Sequence, residues 1–543
     1  MTEGIKAASN VLVEFRKILE PCFGPSCKDV LMKSDTGVIY LSSSGTFILD
    51  HLVLKHPIAK LIKDTVSKLK ASTGDFSKTF IIVLSHFTSQ FIGKVIEQET
   101  CRTIDGVSSR LSDSALSLFR IRNLLVDEFK KCTTMKCIGY KEFLQQKHHI
   151  NSLLKTSVSG KLDLVSSKKM MALVSDVVCH PKFKVEMLDY ISSRFDEVVV
   201  PLVGMPFCES HIVDGCFVSR ESKPTNFNLD NVRFVLLSSA DDLHQPSQKH
   251  QLIMKNRMEF FGKSPELNSI QSQLIQLLRE HKVGVIFTED ILPNQMSGIL
   301  LQLGIVVVSF VSEDDIKKLS KLYNTPIFSG LHDLHDLTAD RVGNALFIKS
   351  TVLGNSKGCI VGPCQASPNC ITPDVLNIQI LLCANSQGLQ IQYQDILCNL
   401  FRVLSKTYDT STEQFFVVHG GGTFESYLSG ILRNHGKECI NDTERLMCSM
   451  LTCSLEAVSH LLHRNEGCKH KQLSALIGEN LASVGCSAID QENCFESFHA
   501  KCSLYITLIE SAIQLIKIQY IIPVSVVESA ELQTRPESDD DEE

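Results

Sequence analysis

The sequence predicts a multidomain α/β protein, and three observations carry that prediction. A length of 543 residues exceeds what one hydrophobic core usually supports, so about three domains are expected. Residues 56–84 hold one helical pattern that runs into a Gly-Asp loop, and a second helical pattern follows the loop. Residues 415–432 hold a short apolar run, three consecutive glycines and another helical pattern. Helices that open after glycine loops are typical of phosphate-binding turns.

The segment that follows His56 predicts a helix, because Pro57 suits a first-turn position. Apolar side chains then recur at helical spacing, at Ile58, Leu61, Ile62, Val66 and Leu69. After the loop at Gly74 and Asp75, a mostly apolar and buried helix is predicted from a second stripe, formed by Phe80, Leu84, Phe87, Phe91 and Val95. Its first backbone N–H groups face back toward the loop, and such an N-terminus attracts anions.

The Gly-Asp loop alone is a weak signal, since a loop that joins two core helices is the ordinary alternative. The glycines at 420, 421 and 422 favour the functional interpretation. Glycine lets the backbone approach a ligand where a Cβ atom would clash. We therefore expect the two glycine loops to share one anion site.

Composition limits the function classes. Apolar content of 43% and charged content of 21% are ordinary for a globular chain. The net charge of −7 and the lack of a basic run argue against nucleic acid or an anionic membrane as the main partner. The longest apolar stretch, 298–311, is too short to span a bilayer and predicts a helix end, a turn and a buried strand. The first residues lack the pattern of a secretory signal.

Twenty cysteines without a secretory signal predict reduced thiols rather than a disulfide framework. Three cysteine pairs have a spacing of five, at 132 and 137, 359 and 364, and 448 and 453, but no histidine accompanies them at ligand spacing. The cluster HDLHD at 332–336 is interpreted as a polar loop or helix face. Structural zinc is therefore not expected.

The two glycine loops resemble the ATP site of the group II chaperonins, which combines a GDGTTT loop with a distant GGG loop. Other segments resemble the family in the same order, at 22–28 (CFGPSCK), 42–62, 153–161 (LLKTSVSGK), 209–221, 284–326 and 512–522. Together they cover nearly the whole chain. The pairing of HPIAKLI with GD-x-x-KTFII is similar to the divergent, chaperonin-like Bardet-Biedl branch.

The resemblance implies a chaperonin-like architecture with equatorial, intermediate and apical domains, of which the equatorial one is mainly α-helical. The implied limits are equatorial at 1–137 and 397–543, intermediate at 138–197 and 346–396, and apical at 198–345. An acidic tail from about residue 533 is expected to be disordered. The stretch 243–278 occupies the place of the family's helical protrusion, and it is interpreted either as an interaction surface or as a solvated helix pair.

The resemblance also implies a site for ATP and Mg²⁺. The nucleotide-binding positions carried over are Gly24, Pro25, Gly45, Gly74, Asp75, Ser77, Lys78, Thr79, Gly420, Gly421 and Gly422. Asp75 is the implied Mg²⁺ ligand if nucleotide binds. Asp395 in QYQDILCNL matches the family's catalytic aspartate and is the catalytic candidate.

Several departures from the family pattern weaken hydrolysis. Phe76 replaces a glycine of GDGTTT, and a left-handed backbone there would cost a bulky residue about 1–2 kcal/mol, which favours a rearranged loop. The family's NDG turn is Ser43-Ser44-Gly45, which supplies no charge. Lys78 intrudes into the threonine run, where it would neutralise a phosphate and favour binding over turnover. Little or no ATP turnover is expected.

The resemblance implies an assembly chaperone that acts with other chaperonin-like Bardet-Biedl proteins and cytosolic chaperonin subunits. Its implied clients are BBSome subunits, its implied place is the cytoplasm with the basal body and cilium, and a hetero-oligomer is favoured over a homo-ring. Edges for pairing with a neighbour are expected in the hairpin at 38–41 and the strand at 521–527. The alternatives are an ATP-hydrolysing foldase subunit and an unrelated phosphotransfer enzyme with glycine loops.

Overall fold

The computed structural model describes most of the chain, in twelve segments. They are residues 3–34, 37–96, 104–132, 136–139, 142–143, 147–181, 183–238, 274–292, 294–330, 332–364, 378–465 and 494–518. The predicted acidic tail, the strand at 521–527 and nearly all of the protrusion stretch at 243–278 lie outside these segments.

The first part of the chain is helical apart from one hairpin. Its elements are α1 (Glu3–Leu19), β1 (Val30–Lys33), β2 (Ile39–Ser42), α2 (Gly45–His51), α3 (Pro57–Thr73), α4 (Ser77–Phe91) and α5 (Ile104–Lys130). Strands β1 and β2 pair antiparallel, with Val30 opposite Ser42, so the predicted hairpin is confirmed. The start of α3 is also as predicted, because Pro57 occupies its first turn and the His56 side chain accepts the Ile58 N–H.

The second part alternates short strands and helices. Its elements are β3 (Lys136–Gly139), α6 (Lys147–Val158), α7 (Leu164–Val178), α8 (Met187–Ser193), α9 (Phe195–Val198), β4 (Val199–Val203), β5 (His211–Asp214), β6 (Cys216–Val218), β7 (Ser222–Lys223) and β8 (Asn228–Leu237). Helix α7 begins where Asp163 accepts the N–H groups of Val165 and Ser166.

The third part is α/β. Its elements are β9 (Val283–Thr288), α10 (Asn294–Gln302), β10 (Val306–Val308), α11 (Glu313–Tyr323), β11 (Ile327–Phe328), β12 (Gly343–Leu353) and β13 (Ser356–Val361). The interpretation of 298–311 as helix end, turn and buried strand is confirmed by α10, by the positive φ of Gly304 and by β10.

The last part returns to helices. Its elements are β14 (Ile378–Ala384), α12 (Gln387–Thr407), β15 (Tyr408–Asp409), β16 (Gln414–His419), α13 (Thr423–Glu438), α14 (Asp442–Asn465), β17 (Phe495–Ser497) and α15 (Phe498–Lys517). Strand β16 pairs antiparallel with β3, β15 and β17. It leads directly into the glycine run.

The largest core joins the two ends of the chain. It contains residues of α1, α3, α4 and α5 together with residues of α13, α14 and α15. The stripe predicted on α4 is buried in it, since Phe80, Leu84, Phe87 and Phe91 are fully enclosed. In the α3 pattern only Leu61 points outward, with 41% of its surface exposed.

Helix α4 corrects the expectation about membrane spans. Among the described residues, the helical stretch Ser77–Ile96 is long and apolar enough to cross a bilayer by composition, with a mean hydropathy of 1.4. The sequence predicted this stretch as a mostly apolar, buried helix, but it was not considered there as a candidate membrane span. Because 67% of this window is buried inside the molecule, packing in the largest core accounts for its composition.

A second core lies among α6, α7, α8 and α12 and the strands β4 and β14. A third region is a sheet with the strand order β6-β13-β12-β8-β9-β10-β7, with β11 also paired to β8. Alternate residues of β8 face opposite sides, so Phe234 packs toward α11 and Val235 toward α10.

One predicted domain limit falls inside a strand of this sheet. The limit between 345 and 346 lies inside β12, whose residues Gly343 to Lys349 pair with β8. Strand β13 then pairs with β12, so the segment up to Val361 continues the large sheet instead of joining the second core. The physical reason is hydrogen bonding across a long hairpin, which the sequence pattern does not reveal. The other domain limits stay predictions.

Candidate functional site: a lysine-rich cavity between two glycine loops

The two glycine loops, although remote in sequence, line one cavity of about 310 Å³. This is the lower end of the ~300–1,000 Å³ typical of ligand pockets. Of the predicted site residues, seven line it: Gly24, Pro25, Asp75, Lys78, Thr79, Gly421 and Gly422. Gly45 lies beside it, because a Cβ atom there would be 2.8 Å from the Ser77 hydroxyl oxygen. Gly74, Ser77 and Gly420 neighbour lining residues in the chain.

The first loop holds the end of α3 against the start of α4. Gly74 has a φ of 83° and donates its N–H to the Lys70 carbonyl, which ends α3. Phe76 has a φ of 73°, so the left-handed conformation persists without glycine and the expected rearrangement does not occur. The Phe76 N–H donates to Asp75 Oδ1 at 2.8 Å. The first N–H groups of α4 have no partner within the helix and lie at the cavity.

The second loop turns β16 into α13. Gly421 and Gly422 have φ angles of 71° and 88°, a conformation that favours glycine. A Cβ atom on Gly422 would lie 2.6 Å from the Ser459 hydroxyl oxygen on α14. Glycine is thus needed here for packing as well as for access to the cavity. The N-terminus of α13, like that of α4, lines the cavity and favours an anion.

A third turn closes the cavity from the side of α6. A Cβ atom on Gly160 would lie 2.3 Å from the Gly24 carbonyl oxygen. The Cys27 thiol and the Ser43 hydroxyl both donate to the Gly160 carbonyl, the latter at 3.1 Å. These contacts join three segments that the resemblance treated as separate motifs.

The charged residues that line the cavity are four lysines and three carboxylates, a formal excess of one positive charge. The lining cations are Lys78, Lys155, Lys161 and Lys501, and the lining carboxylates are Asp75, Glu425 and Glu496. Lys78 is 9% exposed and donates to the Cys22 carbonyl at 2.6 Å. Burial, reinforced by the nearby Lys161, lowers the pKa of Lys78 below its ordinary value. This position suits a lysine that would pair with a phosphate.

Asp75 is already paired. Its Oδ2 atom lies 2.7 Å from Lys161 Nζ, while its Oδ1 atom accepts the Phe76 N–H. Burial would raise the pKa of Asp75, but the attraction of Lys161 and these hydrogen bonds outweigh it and hold the pKa below its usual range. The carboxylate is therefore ionised and its two oxygens are engaged.

A buried charge cluster on α15 and α13 was missed by sequence reasoning. Lys501 Nζ lies 2.5 Å from Glu425 Oε1 and 2.9 Å from Glu496 Oε2. Tyr505 donates its hydroxyl to Glu425 at 2.5 Å. The pKa of Glu425 is lowered because Lys501 and Tyr505 offset its burial, whereas burial raises the pKa of Glu496. Within the described residues, the buried Glu425 Oε2 has no hydrogen-bond partner, so it can accept one from a ligand or water.

The only sequence signal for this cluster is a lysine and a glutamate that lie close to apolar positions of two helical patterns. Charged residues are almost never fully buried unless they are paired. Their partners, however, come from distant parts of the chain. Such pairs therefore cannot be predicted from the spacing of residues along the sequence.

Asp395, the catalytic candidate, lies apart from this lining set. It is on α12, where it forms an ion pair with Lys70 of α3 and accepts a hydrogen bond from Asn399 at 3.2 Å. The side chains of Lys70 and Asp395 are 12% and 19% exposed. The structure thus brings the two glycine loops together but places a different carboxylate set around the cavity.

The residues present fit the phosphates of a nucleotide better than its Mg²⁺. Two helix N-termini and four lysines line the cavity, and Lys161 and Lys501 already pair with lining carboxylates. The helix N-termini and the other two lysines suit a polyphosphate. Mg²⁺ is usually held by one or two carboxylates together with phosphate oxygens. Asp75 would have to release Lys161 to serve as that ligand. At the position of the family's second carboxylate stands Ser44.

Comparisons with known proteins identify the family and the fold of this chain. The TCP-1/cpn60 chaperonin family matches residues 15–525. The human BBSome complex assembly protein BBS10 is 22% identical over 440 residues, which cover 75% of this chain and 59% of that protein. The matched region thus spans less than two thirds of that relative's length.

Two further relatives match nearly end to end. Thermosome subunit alpha of Archaeoglobus fulgidus is 18% identical over 537 residues, covering 96% of this chain and 91% of the subunit. A group III chaperonin crystallised in the open state shares the fold with a TM-score of 0.67 at 14% identity, covering 96% of this chain and 99% of that chain. The predicted chaperonin-like fold is confirmed, and the chain belongs to the TCP-1/cpn60 chaperonin family.

Proposed function

We propose that this protein is a divergent chaperonin-like assembly chaperone that uses nucleotide as a structural ligand and hydrolyses it slowly or not at all. The observation that carries the proposal is the cavity, which keeps two helix N-termini and four lysines while its aspartate is tied to Lys161. A site of this kind stabilises a bound anion. Loss of a positioning carboxylate costs roughly 10²- to 10⁴-fold in acid-base chemistry.

The proposed clients are BBSome subunits, and the proposed partners are other chaperonin-like Bardet-Biedl proteins and cytosolic chaperonin subunits. The BBS10 relatives are named as assembly proteins of the BBSome complex, which supports these clients. The β1–β2 hairpin offers a surface for a neighbouring subunit, because its Leu31 and Ile39 are 68% and 57% exposed. We propose that the protein works in a mixed complex in the cytoplasm, near the basal body and cilium.

Two measurements test the proposal. Purified protein is expected to bind an ATP analogue and to show no ATP turnover above that of its Asp395→Ala variant. Affinity purification from ciliated cells, followed by mass measurement of the intact complex, is expected to recover a hetero-oligomer that contains chaperonin-like subunits. A homo-ring with rapid turnover that depends on Asp395 would instead support the ATP-hydrolysing foldase.

A further inference from the structure

The connection between α13 and α14 brings together three side chains that bind metals. His435 Nε2, the Cys439 thiol and a Glu444 carboxylate oxygen all lie within 4.8 Å of one another. His435 Nε2 is 2.9 Å from Glu444 Oε1. His435 and Cys439 are four residues apart at the end of α13, and Glu444 lies in the first turn of α14. This cluster contains none of the cysteine pairs considered from the sequence.

We propose that His435, Cys439 and Glu444 bind a zinc ion, with a fourth position left for water or an outside ligand. Zinc takes nitrogen, sulfur and oxygen ligands at ~2.0–2.3 Å in a tetrahedron, so the donor atoms would lie roughly 3.3–3.8 Å apart. The ligand atoms, which lie within 4.8 Å of one another, would therefore have to shift by about 1 Å at most. On binding, the Cys439 thiol gives its proton to solvent and its sulfur bonds to zinc as thiolate.

The surroundings suit a cation that enters from solvent. The three residues are each partly exposed, and the neighbouring Ile440 is 97% exposed, so the site opens outward. The C-terminal end of α13 carries partial negative charge, which favours a cation there. Arg120 lies 3.5 Å from Glu444 Oε2, and its side chain is 53% exposed, so it can turn to solvent when the metal takes that oxygen.

Zinc at this place would cross-link the two helices. Helix α13 begins at the cavity and α14 carries Ser459 against Gly422, so the metal would brace the far end of the pair that shapes the second glycine loop. The connection between α13 and α14 is short, so a metal bound there would hold the ends of both helices together. The Asn441 side chain already accepts the Thr443 N–H at the start of α14.

Cobalt titration of the full-length, chelator-treated protein tests the site. We expect one Co²⁺ per chain, a near-ultraviolet thiolate-to-cobalt absorption, and displacement of the cobalt by Zn²⁺. Cys439→Ser should remove the absorption, and His435→Ala should weaken binding by at least ~10-fold. The matched control is Cys453→Ser, because Cys453 is an exposed cysteine of α14 outside the cluster, and this variant should bind as the parent does.

Folding of each variant is checked by its thermal midpoint without metal, which should equal that of the parent. Zinc should raise the midpoint of the parent and of Cys453→Ser but not of Cys439→Ser. The proposal is overturned if the parent binds no cobalt. It is also overturned if a folded Cys439→Ser variant keeps the full absorption, since the metal would then be bound by other cysteines.

Discussion

The cavity and the surroundings of Asp395 each hold a lysine paired with an aspartate, but the two pairs lie in different environments. Lys161 and Asp75 line a cavity that two helix N-termini also line. Lys70 and Asp395 form an ion pair that joins α3 to α12. Neither is among the described residues that line the cavity. The comparison teaches that the lysine–aspartate pair of the cavity and the pair that contains the catalytic candidate Asp395 lie in separate settings of this fold. The first pair lines the cavity, whereas the second links α3 to α12.

The largest expected effect concerns the charge cluster of Lys501, Glu425 and Glu496, which lines the cavity. Lys501→Met should lower the free energy of unfolding by about 3–5 kcal/mol, because it leaves two buried glutamates without their cation. The urea midpoint measures it. Lys517→Met on the same helix is the control, since Lys517 is exposed and should change little. An equal midpoint for both variants would contradict the stabilising role of Lys501 in this cluster.

The next effect concerns the backbone of the second glycine loop, which lines the cavity. Gly422→Ala should cost about 2–3 kcal/mol, since a left-handed alanine is strained by about 1–2 kcal/mol and its Cβ would also meet Ser459. Both the thermal midpoint and the affinity for an ATP analogue should fall. Gly298→Ala in α10 is the control, because a Cβ there has open space and a helical alanine is favoured by roughly 0.5–1 kcal/mol.

A smaller effect concerns the pH dependence of the Asp75 ion pair. Asp75→Asn should cost about 2 kcal/mol at pH 7, the loss of a charge-assisted hydrogen bond. The pKa of Asp75 is lowered in the folded protein, so its contribution is present above the unfolded pKa of about 3.9 and is lost as the pH falls through the folded value. Urea midpoints of parent and variant should therefore converge below about pH 4. A constant difference across that range would contradict the pairing with Lys161.

The smallest effect belongs to the other aspartate. Asp395→Asn should cost about 1 kcal/mol, as is usual for a partly exposed ion pair, and a double-mutant cycle with Lys70→Met should recover that coupling. Affinity for an ATP analogue should not change, because Asp395 does not line the cavity. A loss of affinity as large as that of Gly422→Ala would remove the distinction between the two regions.

Sequence predicted the local parts of the site and missed the long-range ones. The start of α3 at Pro57, the loop at Gly74 and the stripe of α4 depend on neighbours a few residues away, so spacing reveals them. The left-handed Phe76 was expected to rearrange, yet the packing around it holds the loop.

The pairing of Lys501 with Glu425 and the meeting of His435 with Glu444 depend on how helices approach each other in space. No periodicity encodes such an approach. The continuation of the large sheet through β12 and β13 escaped notice for the same reason, because strand partners are chosen across the fold. Fold class and loop positions were therefore predictable, whereas the charge networks and the continuation of the sheet past residue 345 were not.

The largest core has a consequence for biosynthesis. Its members end at Cys132 on one side and resume only at Val418 on the other. At ~5–20 residues per second, a ribosome needs tens of seconds to supply the second half. During that interval the apolar faces of α3 and α4 have no α14 or α15 to cover them. We therefore expect a nascent chain of this design to need protection from aggregation until its C-terminal helices have been made.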